Sequence, residues 1–328
     1  MIGKVKLNQC LSGVLWGGLL GCFCSCLAAE PLEHSIEKYQ PQHYLSGKIS
    51  SAGSDTLANL MTFWAAEFVS LYPQVEFDLH SEGSATAPPA LLSGQSNIAP
   101  MSRLMNKEEL ATFEQKFGYQ PTPMRVAMDA IAVFVHQQNP LTTITMQQLA
   151  QIFAEQRHCA SSEPIRYWQE FNINKPWSVE PIDVIGRNSD SGSYGFFKEV
   201  VLCNAAFFLD MQTLPGSGSI VQAISYNKNA IGFSGIGYKT SGVRTLAILQ
   251  NGKANLPNKN GTTNWDYPLS RFLYLYVNKA PNKPLEPLIQ EFILLVLSES
   301  GQKTVEQDGY TTIAPEIIQA DLLQLTTH

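Results

Sequence analysis

The chain has 328 residues, 15% of them charged and 44% hydrophobic, with 22 Lys+Arg against 28 Asp+Glu and a formal net charge of −6. That length suits two lobes with filled cores, and 10% aromatics argue against disorder. The negative balance, without a long Lys/Arg block, excludes a nucleic-acid binder that works by bulk charge.

Lys4 and Lys6 precede an apolar run over residues 11–23 and small residues to Ala29, the pattern of a secretory signal. The run is short for a membrane span. Two exits are open. Cleavage after Ala28 would remove residues 1–28, whereas Leu19-Leu20-Gly21-Cys22 resembles a bacterial lipobox and would make Cys22 a lipid attachment point. Cleavage after Ala28 leaves Cys159 and Cys203, an even pair that an oxidising compartment could join, and these are the candidate disulfide. Residues 29–46 read as a lead-in.

A strand at 48–52 meets Gly53-Ser54-Asp55-Thr56. A helix follows over 57–71, where Leu57, Leu60, Met61, Trp64, Phe68 and Leu71 fall at helical spacing. Pro73 ends it, and 75–79 alternates as a strand. Glu82-Gly83-Ser84-Ala85-Thr86 then opens a helix that ends near Gly94. A short strand at 97–99 leads through Met101-Ser102-Arg103 to a helix over 107–117, closed by Gly118. Residues 126–135 form a long branched strand interrupted by Asp129, the pattern expected where both faces of a sheet are covered. A helix at 145–153, a strand at 183–186, the loop 187–193 and a helix at 194–202 come next. Ser217 or Ser219 caps a helix at 220–227, and 230–233 is a strand. Residues 249–264 read as a polar surface excursion, 272–277 as a strand and 285–298 as an apolar helix. The alternation predicts an α/β fold with mostly parallel sheets.

Four loops carry one chemistry: residues 53–56, residues 83–86, Met101-Ser102-Arg103, and Arg187 with Ser191-Gly192-Ser193. Each joins a predicted strand to a predicted helix, where backbone N–H groups and the positive helix end face outward. Hydroxyls add donors, glycine lets the backbone approach, and the Arg187 fork suits two oxygens of one anion. Ser54, Asp55, Thr56, Ser84, Ser102, Arg103, Arg187, Ser191, Gly192 and Ser193 are thus candidate binders of a small tetrahedral oxyanion. Taken singly, each serine reads equally as a helix cap, and Arg103 as a partner of Glu108 or Glu109.

Several segments then resemble one family in order. They are Gly53-Ser54-Asp55-Thr56 with Trp64, Glu82-Gly83-Ser84, Ala99-Pro100-Met101-Ser102-Arg103, Asp129-Ala130-Ile131-Ala132-Val133, Gly186-Arg187-Asn188-Ser189-Asp190-Ser191-Gly192-Ser193 and Tyr267-Pro268-Leu269-Ser270-Arg271. Together they resemble the periplasmic phosphate-binding proteins of bacterial ABC transporters, which are type II solute-binding proteins. The resemblance implies two α/β lobes, each a mostly parallel sheet flanked by helices, with the ligand cleft between them. Lobe one would hold 47–133 with 275–328 and lobe two 134–274, joined by crossings at 130–136 and near 273–278. It implies that Arg187 binds phosphate oxygens, that Ser191, Gly192 and Ser193 follow as donors, and that Ser84 donates from the second loop. Asp55 or Thr56 would stand at the family's threonine.

Some members carry an aspartate in the third loop, where it accepts the phosphate proton and repels sulfate. Here Ser102 and Arg103 stand in its place. Asp55 is the preferred substitute, balanced by Arg103, and Asp129 at the first crossing is another. With neither, the site would take another tetrahedral oxyanion such as sulfate or molybdate.

An enzyme reading finds little support. The histidines follow no metal-ligand spacing, and Gly232-Phe233-Ser234-Gly235 misses a nucleophile elbow by one position. The expectation is an exported periplasmic monomer that hands inorganic phosphate to a membrane permease, with no cofactor, metal or nucleic acid. An exported scaffold or adhesion protein on the same fold is the alternative.

Overall fold

A computed structural model describes residues 36–41, 44–155, 163–257 and 266–326. The export signal with Cys22, and Cys159, lie outside these residues. Strands β1 (Gly47–Ala52), β2 (Val75–His80) and β3 (Ile98–Met101) alternate with helices α1 (Ala58–Leu71), α2 (Ala87–Ser93) and α3 (Lys107–Phe117). The long β4 (Thr122–His136) follows, then β5 (Thr143–Thr145), α4 (Met146–Phe153), β6 (Asp183–Arg187), α5 (Gly192–Val200), β7 (Gln212–Leu214), α6 (Ser217–Tyr226) and β8 (Ala230–Gly235). Short strands β9 (Val243–Thr245), β10 (Ala247–Gln250) and β11 (Lys253–Asn255) precede β12 (Ser270–Val277). Helices α7 (Pro287–Leu297), α8 (Glu299–Gln307) and α9 (Pro315–Thr326) complete the described chain.

Local sequence explains the boundaries. Asn106 and Glu109 form a reciprocal capping box at the start of α3, and Gly118 ends it in the left-handed region at φ 80°. Thr145 and Gln148 cap α4 in the same way. Along α1, Leu60, Met61, Trp64 and Phe68 all turn inward, and the Trp64 indole donates to the Gly301 carbonyl at 3.0 Å. Burial of each large side chain contributes about 1.5–3 kcal/mol.

Among the described residues the main sheet runs β2-β1-β3-β12-β4-β8-β6-β7, with β9 also against β4. Strand β4 belongs to both halves. Its residues 122–130 pair antiparallel with β12, and 131–135 pair with β8. The packing divides at the same place. Val126, Ala127 and Met128 join one core with α1, α7 and α8, while residues from Ala130 onward join a second core with α4, α5 and α6. On the return path Leu269 belongs to the second core and Leu273 to the first. The two cores thus divide between Met128 and Ala130 on the way out and between Leu269 and Leu273 on the way back.

Two segments depart from the sequence reading. Within 249–264, β10 and β11 form a hairpin turned by Asn251 and Gly252, both at positive φ, and residues 258–265 lie outside the described set. Helices α8 and α9 follow a segment that the apolar pattern had closed at residue 298. The candidate disulfide is corrected. Cys203 is the one cysteine among the described residues, so no bridge joins two of them, and Cys159 falls outside. Cys203 stands at φ 48° in the turn after α5 and is not without a partner.

Candidate functional site

Strands β1, β2 and β3 run parallel, as do β6, β7 and β8, and their carboxyl ends meet between the lobes. The loops leaving those ends therefore collect at one place. Ser84 Oγ lies 3.2 Å from Ser102 Oγ and accepts from the Ser102 amide at 3.0 Å. Gly192 of lobe two closes on them: a Cβ there would sit 2.4 Å from both hydroxyl oxygens. Glycine is required by that approach. Beside it, the Ala85 amide donates to the Asp190 carbonyl at 2.9 Å, and a Cβ on Gly83 would meet the same carbonyl.

Ser54 and Ser191 serve as N-caps. The Thr56 amide donates to Ser54 Oγ at 3.2 Å, and the Ser193 amide donates to Ser191 Oγ at 3.1 Å. These bonds aim the remaining first-turn N–H groups into the junction. Ser54, Thr56, Ser84, Ser102, Asp129, Arg187, Ser191 and Ser193 are all buried.

Arg187 ends β6 and is 1% exposed. Its Nη1 donates to Ser217 Oγ at 2.7 Å and lies 3.0 Å from Asp55 Oδ2, while Nη2 donates to the Pro215 carbonyl. The Ser217 amide and hydroxyl both donate to Asp55 Oδ2, at 2.9 and 2.7 Å. Asp55 therefore bridges the lobes. Burial pushes the Arg187 guanidinium below its usual value, the Asp55 charge opposes that shift, and Arg271 adds to it. An arginine starts so high that it stays charged.

The second guanidinium is Arg271, whose motif the sequence reading quoted without giving the residue a role. Arg271 on β12 and Asp129 on β4 are register partners. Arg271 Nε and Nη2 both donate to Asp129 Oδ2, at 3.0 and 2.8 Å, and Nη2 also reaches Ser193 Oγ at 2.9 Å and Thr56 Oγ1 at 3.4 Å. Three buried atoms of this cluster, Arg187 Nε, Arg271 Nη1 and Asp129 Oδ1, have no hydrogen-bond partner among the described residues. Such orphans are uncommon in folded chains and call for a ligand or water.

Ser217 was also missed as a site residue. The Gly216-Ser217-Gly218-Ser219 start of α6 repeats the strand-to-helix junction of the other loops, which is the signal that could have found it. Arg103 is not turned into the cluster. Its Nη1 and Nη2 pair with Glu109 at 2.7 Å each, and its stem lies against Gly195. Two tyrosines brace the first loop: Tyr238 Oη donates to the Asp55 carbonyl at 2.9 Å and Tyr310 Oη to the Thr56 carbonyl at 2.8 Å. Burial raises both phenols, so they remain donors.

The arrangement can hold a small oxyanion with hydroxyls, first-turn amides and two guanidiniums in a site shut off from water. Comparison with known proteins places the chain among others of this form. Residues 40–300 match the PBP superfamily domain. A phosphate-binding protein PstS of Pseudomonas aeruginosa is 47% identical over 300 residues, covering 91% of this chain and 93% of that one. A PstS of Staphylococcus aureus is 26% identical over 83% of this chain and 80% of its own length. The fold of an ABC-type phosphate transport receptor from Vibrio cholerae superposes at a TM-score of 0.64, with 22% identity, over 81% of this chain and 100% of that one. By the domain match and the near-full-length 47% identity, the chain belongs to the PstS-type phosphate-binding proteins of the PBP superfamily.

Proposed function

We propose that this chain is the substrate-binding component of a phosphate ABC transporter: it captures inorganic phosphate between its lobes and presents the closed form to a membrane permease. Its first 28 residues serve as the export signal to the periplasm, and it binds without chemical turnover. The observation that carries the reading is the meeting of Ser84 and Ser102 of lobe one with Gly192 of lobe two, at the end of the loop that Arg187 opens. Ser84, Ser102, Thr56, Ser193 and the first-turn amides of α5 supply neutral donors, and Arg187 supplies charge through Nε. Ser54 and Ser191 shape the two loops. Asp55 holds Arg187 in place and ties the lobes through Oδ2.

Closure strengthens each polar contact by removing water and changes the surface a permease meets. Calorimetric titration of the chain from residue 29 with phosphate, sulfate, arsenate and molybdate tests the reading. Tight one-site phosphate binding, lost in Arg187→Ala, is the expected result. Sulfate or molybdate bound in preference, or no oxyanion bound, would overturn it.

A further inference from the structure

The turn after β8, Ile236–Tyr238, carries lobe two onto lobe one. Ile236 and Tyr238 pack with the second core, and a Cβ on Gly218 of α6 would lie 3.8 Å from the Tyr238 ring. The Tyr238 hydroxyl nevertheless finds its acceptor on lobe one, the Asp55 carbonyl at 2.9 Å. Tyr310, in the first core, donates to the next carbonyl along, that of Thr56, at 2.8 Å. Two phenols, one from each core, thus hold successive carbonyls of one loop. The turn and Tyr310 also meet directly. A Cβ on Gly237 would sit 3.0 Å from Tyr310 Cζ and 3.2 Å from both the Tyr310 hydroxyl and the Asp308 carbonyl oxygen. A side chain there would press the lobes apart, and glycine lets them close. The Tyr310 segment is itself anchored to β4, since the Met128 amide donates to the Thr311 carbonyl at 2.8 Å and the Thr311 amide to the Met128 carbonyl at 3.0 Å. Tyr310 is therefore a fixed stop on lobe one, and Tyr238 is the arm that travels with lobe two.

We infer that Tyr238 is a positioning residue for ligand retention: its hydroxyl clasps the Asp55 carbonyl in the closed cleft and sets how long the closed form lasts. The inference rests on the phosphate reading above and assigns the timing of release, not the choice of anion. The two ends of the bond belong to different cores, so a rotation that opens the cleft pulls the phenol away from the carbonyl. In the open form water serves both groups. In the closed form burial raises the Tyr238 phenol and keeps it a donor, and removing the hydroxyl leaves the carbonyl without that partner. The cost of losing the bond therefore falls on the closed form alone. Tyr310 differs, because its acceptor lies on its own lobe and the bond survives opening. Tyr238 acts through the loop of Asp55 and Thr56 and not on the anion.

The test is stopped-flow capture and release of phosphate by the wild-type chain, Tyr238→Phe and Gly237→Ala. Calorimetry with phosphate and arsenate and a ligand-free thermal melt accompany each. Phenylalanine keeps the ring and removes one hydroxyl. We expect Tyr238→Phe to release phosphate about tenfold faster, the size of a buried hydrogen bond whose acceptor is left unmatched. Its capture rate, its ligand-free melt and its ratio of phosphate to arsenate affinity should all stay at the wild-type values. Gly237→Ala, which presses on Tyr310, should speed release in the same direction. A folded variant at residue 237 or 238 that releases phosphate at the wild-type rate would overturn the inference. So would a Tyr238→Phe chain that melts lower without ligand, the mark of a contact that only holds the fold, or one that shifts the phosphate to arsenate ratio, the mark of a contact with the anion. Each of these results leaves phosphate binding intact. A wild-type chain that binds no phosphate would instead sink the functional reading, and this inference with it.

Discussion

Asp55 of lobe one and Arg187 of lobe two lie 3.0 Å apart across the cleft, Oδ2 to Nη1, with Ser217 wedged against both. The contact joins the two halves directly, protein to protein, so it acts as an electrostatic latch on the closed arrangement. Removing it has two opposite effects. The cleft becomes more positive, which favours anion entry, and the closed form loses its clasp, which favours exit. We expect Asp55→Asn to speed phosphate dissociation about tenfold, the size of a charge pair that is partly open to solvent. Stopped-flow release measurements check this, and an unchanged release rate would contradict the latch.

Gly192 tests closure from the other side. An alanine there suits the first turn of α5 as a helix former, yet its Cβ would meet Ser84 Oγ and Ser102 Oγ at 2.4 Å. Overpacking of this kind costs about 1–3 kcal/mol, or roughly fivefold to 150-fold in affinity. We expect Gly192→Ala to bind phosphate that much more weakly while its ligand-free melting temperature holds. Small-angle scattering should show that phosphate no longer contracts it fully.

Asp321 ties α9 to lobe one. It is fully buried and accepts from the Arg125 amide at 2.7 Å and from Arg125 Nη2 at 2.5 Å. Removing Asp321 leaves the Arg125 amide and a guanidinium that is 30% exposed without their acceptor. We expect Asp321→Ala to destabilise the chain by about 2 kcal/mol in denaturant melts, the size of hydrogen bonds to a charged group, with the ratio of phosphate to sulfate affinity unmoved.

His136, at the end of β4, gives a pH signature. Burial and the neighbouring Lys228 hold its imidazole below the usual value, and Nδ1 accepts from the Gln138 amide at 3.1 Å. The unfolded chain therefore binds the proton more readily than the native one. Its contribution to stability is present above the unfolded histidine value of about 6.5 and is lost as pH falls through that value and the depressed native one. Melting temperatures between pH 8 and pH 5 should fall, and His136→Gln should flatten part of that slope. An identical slope in the variant would refute the assignment.

The loops of the site could be read in the sequence because each is contiguous. Residues 187–193 carry arginine, three serines and a glycine in one junction, and the strand-helix alternation around them gives their direction. The hinge pair could not be read the same way. Asp129 and Arg271 stand 142 residues apart, and only the antiparallel register of β4 with β12 makes them neighbours. Arg103 shows the reverse case. Its place beside Ser102 suggested a ligand contact, but Glu109, six residues on and inside a capping box, is the nearer and better-oriented partner. The bounds of helix α8 could not be read from an apolar stripe because its surface is polar. Its inward residues are Gly301, Gln302 and Val305, of which Gln302 bonds the Val126 and Val296 carbonyls.

One uninterrupted strand, β4, is stitched into both sheets, changing partner from β12 to β8 between Ala130 and Ile131. The halves are therefore not separable modules. Cutting the chain there would part β3 and residues 122–130 from β12, the strand that lies between them, and bare sticky edges, so the first fragment should not fold by itself, and fusions or circular permutants of this protein must leave that segment whole.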